Sequence, residues 1–105
     1  MSSAHHAALQ LLEEDSGPID TSARILKAMA NAKRLRILCL LTEGELSVTQ
    51  LNQQLELSQS ALSQHLAILR QQALVSTRRE SQTIYYSLTS QTVKAIIQAL
   101  SGSVA

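Results

Sequence analysis

A chain of 105 residues, 45% of them hydrophobic, holds one domain around one modest core. Trp and Phe are absent and Tyr85 and Tyr86 are the only aromatics, so the interior must be Leu, Ile, Val and Ala, which favours packed helices over an aromatic-rich β-sandwich. A net charge of +1 says little about nucleic acid, but a single cysteine, Cys39, excludes an internal disulfide and therefore a secreted disulfide scaffold. The first residues lack a basic stretch followed by an apolar one, and no apolar run nears the roughly 18 residues of a membrane span. The expectation is a cytoplasmic protein without a membrane anchor.

Residues 1–20 read as an N-terminal arm or helix, with Leu9, Leu11 and Leu12 available for docking, and Gly17-Pro18 as its stop. Asp20 or Thr21 is then expected to cap a helix over about 21–30, with Ile25, Leu26 and Met29 inward. Asn31 caps a further predicted helix, about 32–43, that is apolar on most sides and therefore central, and Gly44 ends it. Ser47-x-x-Gln50 has the spacing of a capping box and opens a short helix with Val48, Leu51 and Leu55 inward.

Glu56-Leu57 turns the chain, and Ser58 caps the next helix. In that helix Leu62, Leu66 and Leu69 fall at i, i+4 and i+7 and face the core. Gln59, Ser60, Ser63, Gln64, Ala67 and Arg70 must then face outward, with His65 at the boundary. From residue 73 the period changes to two: one strand is predicted over 74–78 and another over 83–88, with Arg79 to Gln82 at the hairpin tip. Ser90 caps a last helix striped by Val93, Ile96, Ile97 and Leu100, and Ser101-Gly102 ends it. Helix, turn, helix and hairpin in that order is a winged helix-turn-helix.

Charge is segregated along the chain. Arg24, Lys27, Lys33, Arg34 and Arg36 follow one another without an acid, and Arg70, Arg78, Arg79 and Lys94 face only Glu80. The acids gather at Glu13, Glu14, Asp15 and Asp20 and again at Glu43, Glu45 and Glu56. A near-neutral chain so divided can present a basic face. On the helix after Ser58, Gln can donate and accept at once, matching adenine in the major groove, and Ser is short enough for base or phosphate. The helix N-terminus and its free amides can hold a phosphate. Ser58, Gln59, Ser60, Ser63, Gln64 and His65 are therefore the candidate reading residues, with Arg70 on a phosphate. His65 serves equally well as a half-buried support for the turn. Arg78, Arg79 and Gln82 flank the wing tip, where arginine adds salt-dependent affinity, although Glu80 also fits a solubilising turn. Lys33, Arg34 and Arg36 are candidates for flanking phosphates or for plain surface.

Four segments together resemble the ArsR/SmtB family of small bacterial repressors. They are Ala30-Asn-Ala-Lys-Arg-Leu-Arg-Ile-Leu38, Glu45-Leu-Ser-Val48, Leu57-Ser-Gln-Ser-Ala-Leu-Ser-Gln-His-Leu66, and Leu74-Val with Tyr85-Tyr-Ser-Leu88. Leu26 to Asn31, Ile37-Leu-Cys39 and Gln82-Thr83 are most similar to its haemolysin-activator subgroup. The resemblance implies a DNA-binding regulator, and for that subgroup relief of silencing at virulence genes and sensing of oxidants or reactive sulfur. Many members bind metal through a thiol pair opening the first helix of the motif, or through Asp and His on the last helix. Residues 45–51 and 91–100 here carry no such ligands, so no metal is expected at either family site, and no cofactor. His5-His6 is read as an adjacent pair without a role. In thiol-sensing relatives Cys39 resembles the first of two cysteines, and no second is present. An inert core thiol, a sulfenic acid or persulfide on one thiol, and a bridge between subunits all remain open.

One small core cannot cover apolar stripes on both the first and last helices, so a homodimer is expected, its reading helices about 34 Å apart on double-stranded DNA. The expectation is thus a mainly α fold with a small β-hairpin. It comprises an arm at 1–20, a winged helix-turn-helix DNA-binding and dimerisation domain at 21–101, and a tail at 102–105. The alternatives are a winged-helix module that binds only protein, and a regulator without thiol sensing. An enzyme is not expected: there is no nucleophile–base pair, carboxylate pair or glycine-rich phosphate loop.

Overall fold

The computed structural model describes residues 2–13 and 17–104; Glu14 and Asp15 of the first acidic group, and the two terminal residues, lie outside them. The elements are α1 (Ser3–Glu13), α2 (Gly17–Met29), α3 (Ala32–Leu40), β1 (Leu46–Ser47), α4 (Val48–Leu55), α5 (Gln59–Gln71), β2 (Val75–Glu80), β3 (Thr83–Leu88) and α6 (Gln91–Val104). The three strands form an antiparallel sheet in the order β1-β3-β2. This is the mainly α winged helix-turn-helix expected from the sequence.

Local chemistry accounts for most boundaries. Asn31 Oδ1 accepts from the Arg34 amide at 3.0 Å and opens α3. Ser47 and Gln50 complete the reciprocal capping box at the start of α4: Gln50 N–H donates to Ser47 Oγ at 3.1 Å and Ser47 N–H to Gln50 Oε1 at 2.8 Å. Glu56 turns the chain through the left-handed region (φ 51°), and Ser58 then caps α5. At the far end of α5 the Leu74 amide bonds to the Leu69 carbonyl and the Ala73 amide to Arg70, with Ala73 at φ 59°. That is a Schellman closure built on alanine where glycine is usual.

Several boundaries differ from expectation. Gly17-Pro18 opens α2 rather than standing before it, because a proline in the first turn sacrifices no helical hydrogen bond. Asp20 therefore lies within the first turn and Pro18 O accepts from Ser22 Oγ at 2.8 Å. Helix α3 stops at Leu40, ahead of the predicted 43, and Gly44 has no left-handed backbone. Its last carbonyls are taken instead by the Leu41 amide and by Thr42 Oγ1, which donates to Cys39 O at 2.7 Å. The hairpin tip is shorter than expected: Glu80 pairs with Thr83, leaving Ser81-Gln82 as the turn and Arg79 inside β2. Helix α6 continues through Ser101-Gly102 to Val104.

The core joins Ala28 and Met29 of α2, Ile37 and Leu38 of α3, Leu41, Leu51 and Leu55, the α5 leucines 62, 66 and 69, then Leu74, Val75, Leu88 and Val93. Each fully buried leucine contributes about 1.5–3 kcal/mol of transfer free energy. Cys39 departs from the pattern. On a helix expected to be apolar on most sides and central, Ile37 and Leu38 are buried while the thiol is exposed. Leu9, Leu12, Leu100 and Val104 also remain exposed, on α1 and α6.

Candidate nucleic-acid interface

Helix α5 is fixed from behind. Leu62, Leu66 and Leu69 are each no more than 2% exposed, and they lock its rotation. The opposite face carries Gln59, Ser60, Ser63, Gln64, Ala67 and Arg70, all exposed. The helix contains no acidic residue. Among the described residues, no intrachain hydrogen bond or salt bridge engages the side chains of Gln59, Ser60, Ser63, Gln64 or Arg70. Ser58 is different: its Oγ accepts from the Ala61 amide at 3.1 Å, so this hydroxyl is a cap. The cap leaves the Gln59 and Ser60 amides at the helix start for an outside acceptor.

His65 is half-buried and its Nδ1 is buried without a partner. Burial holds its pKa below the ordinary imidazole value, and Arg34 and then Lys33 push the same way. The two cations that push it down belong to the first turn of α3. Arg34 is also occupied: its Nε donates to Ala28 O at 2.7 Å and its second nitrogen to Lys27 O at 3.4 Å. A cation closing the carbonyl end of α2 is a favourable helix-dipole arrangement.

The sheet presents two unlike faces. Strand register puts Val75, Thr77 and Arg79 opposite Leu88, Tyr86 and Ile84, which is the core side. Tyr86 and the α5 residues Ser63, Leu66, Ala67, Arg70 and Gln71 border an open groove of about 500 Å³. Arg79 therefore shares the α5 side of the hairpin, and Gln82 is exposed at the tip. Arg78 lies on the other face, paired across the strands with Tyr85. Its guanidinium sits 4.5 Å above the Tyr85 ring, its Nε donates to Glu45 Oε2 at 2.8 Å, and a terminal nitrogen donates to Glu80 Oε2 at 2.7 Å. The hydrogen bonds from Arg78 hold the Glu45 carboxyl below its ordinary pKa, and Arg78 itself is shifted upward by both acids.

The α5 side chains expected to face outward are exposed, Arg70 among them, whereas Arg78 and Arg79, expected together at the wing tip, lie on opposite faces of β2. Sequence reading missed Glu45 and Tyr85 as partners of Arg78. The period-two alternation that separates neighbouring arginines was the available signal; the pairing with Glu45, across 33 residues, had none.

Cys39 lies at a second groove, about 480 Å³, between α3 and α4, with Leu35, Arg36, Leu40, Gln54 and Leu55. Among the described residues no three His, Cys, Asp or Glu side chains converge on a common point, and no helix is long and apolar enough to cross a membrane.

Comparison with known proteins agrees with this geometry. The model of the bacterial regulatory protein arsR family matches residues 31–77, from the cap of α3 into β2. The chain is 55% identical over 92 residues to the transcriptional activator HlyU of Vibrio cholerae serotype O1, spanning 88% of this chain and 82% of that protein. It is 51% identical over 96 residues to the nodulation protein NolR of Rhizobium meliloti, spanning 91% and 79%. The solved structure of HlyU from Vibrio cholerae N16961 superposes with a TM-score of 0.80 at 52% identity, covering 86% of this chain and 98% of that one.

Proposed function

The chain belongs to the arsR family of bacterial regulatory proteins, and from that premise we propose that it is a homodimeric regulator that reads promoter DNA with α5. Family membership makes it a DNA-binding transcriptional regulator and not an enzyme. The roles of individual residues are our reading.

Gln59, Ser60, Ser63 and Gln64 contact base edges and adjacent phosphates. The amides after Ser58 and the Arg70 side chain hold the backbone. Arg79 and Gln82 carry the wing's contact, while His65 supports the helix from within. The observation that carries this reading is the exposed, acid-free and internally unpaired face of α5. Polar groups without internal partners keep their full hydrogen-bonding capacity for a ligand, and bidentate amide–adenine pairing uses it. The work is done in the cytoplasm, where bacterial DNA lies.

Homodimerisation is supported by exposed Leu9 and Leu12 on α1 and Leu100 and Val104 on α6, which water solvates poorly. A two-fold axis through those helices sets two copies of α5 on successive turns of an imperfect palindrome. Genome-wide mapping of bound DNA tests the whole reading: a shared two-fold motif upstream of genes is expected, and uniform genomic signal would remove the proposal.

Response to oxidants or reactive sulfur through Cys39 is a further part of the proposal. Exposure of the thiol supports it, since a buried thiol would be shielded from peroxide. Peroxide is expected to release bound DNA from the wild type and not from Cys39→Ser. Equal release from both would assign the response elsewhere. Doubled mass under oxidant would identify a bridge between subunits.

A further inference from the structure

The two arginines of the wing are neighbours in sequence and opposites in circumstance. Arg79 lies on the α5 side of the hairpin, and no intrachain hydrogen bond or salt bridge engages it among the described residues. Arg78 is engaged through all three of its nitrogens: two donate to Glu45, the third to Glu80, and one face of the guanidinium lies on the Tyr85 ring. A guanidinium forked onto a carboxylate fixes direction as well as distance. Glu45 lies just before β1, and β1 is only two residues long, meeting β3 at Leu46↔Tyr86 and Ser47↔Tyr85. The hairpin's backbone mooring to the rest of the domain is therefore slight, and the Glu45–Arg78 fork reaches across β3 to reinforce it.

We propose that Arg78 is a positioning residue: held by Glu45, Glu80 and Tyr85, it moors the wing to the segment that precedes the helix-turn-helix, so that Arg79 on the opposite face meets the DNA backbone, and Arg78 itself holds no phosphate. This rests on the DNA-reading function proposed above. The two carboxylates offset the Arg78 charge, so the outer face of the wing is a poor phosphate site, whereas the inner face keeps its cation. An exposed single ion pair contributes little, but a forked pair inside a network of four groups is the arrangement in which such a contact becomes significant.

The full chain, titrated with a random-sequence DNA duplex over a series of salt concentrations, separates the two arginines. Arg79→Gln is expected to weaken binding and to reduce the slope of log affinity against log salt by about one, the signature of one lost phosphate contact. Arg78→Gln is expected to weaken binding roughly three- to fivefold with the slope retained. Glu45→Gln should weaken it in the same way, and the double variant should be no worse than the weaker single one. Arg78→Lys keeps the charge and loses the fork, so it should behave like Arg78→Gln. Loss of salt slope in Arg78→Gln, wild-type binding by Arg78→Lys, or tighter binding by Glu45→Gln would each overturn the proposal, because each describes a guanidinium that competes for phosphate. Amide exchange in the DNA-free protein provides a separate reading: Arg78→Gln and Glu45→Gln should speed exchange from Arg79 to Thr83. Unchanged exchange would overturn the mooring. Absence of salt-dependent binding by the wild type would instead remove the DNA-reading function, with the exchange result still deciding the mooring.

Discussion

Helix α5 and the outer face of the wing are both polar, solvent-facing and placed on rigid elements, yet they differ in one respect. On α5 the amides, hydroxyls and Arg70 have no partners within the chain among the described residues; on the wing, all three Arg78 nitrogens already donate to Glu45 or Glu80 and one face of the guanidinium lies on Tyr85. On the proposed reading, exposure alone does not distinguish a surface that binds from one that braces. The distinction is hydrogen-bonding capacity left over after the fold has been satisfied. Arg34 belongs with the wing in this sense, since it is spent on the last carbonyls of α2.

The most severe way to break the comparison is to remove what holds α5 in place. Leu66 is 2% exposed, and Leu66→Ala is expected to cost about 2–5 kcal/mol in urea unfolding. Such a loss would abolish reading and bracing together. The sharper cut is Gln64→Ala. It touches no internal partner, so the urea midpoint should stay put while affinity for a mapped operator falls by about 1–3 kcal/mol. Unchanged operator affinity would move Gln64 from the reading set to the solvated set. A smaller effect, of opposite sign, is expected at the end of α5. Ala73 stands at φ 59°, where a Cβ is unfavourable, and Ala73→Gly should stabilise the fold by roughly 0.5–1 kcal/mol without altering DNA binding.

The smallest effect is a pH dependence centred on His65. Burial, reinforced by Arg34 and Lys33, keeps the folded pKa under the ordinary 6.5. On acidification the unfolded chain takes up the proton first, so stability is complete above that ordinary value and declines as pH falls through it toward the folded value. His65→Gln should flatten this part of the stability curve in urea titrations. Glu45 acts in a lower window: its folded pKa is depressed below 4.5 by Arg78. Its contribution is present above 4.5 and disappears as pH falls through the folded value, which Glu45→Gln would abolish.

Much of this was legible in the sequence because it is local. The i, i+4, i+7 leucines of α5, the Ser47–Gln50 box, the caps at Asn31 and Ser58, and the alternation of β3 all depend on neighbours within about one or two helical turns. What escaped depends on distant packing. Strand β1 exists because Leu46 and Ser47 meet Tyr86 and Tyr85, some forty residues on. Gly44 looked like a helix stop, but Thr42 and Leu41 close α3 first. Pro18 reads as a breaker wherever the next helix begins later, and here the helix begins with it. The outward placement of Cys39 on an otherwise apolar stretch follows from which side of α3 faces α4 and α5, a choice that periodicity within nine residues does not make.

The two-sided character of the hairpin also constrains how its length can change. Consecutive side chains in β2 alternate between faces, so a single residue inserted between Val75 and Arg78 would turn Arg79 outward and send Arg78 toward α5, away from its acidic partners. Paired insertions at the Ser81-Gln82 end preserve both assignments. Functional descendants of this wing should therefore change the stretch from Val75 to Arg78 in twos, and a one-residue indel there should survive only where a bulge absorbs it.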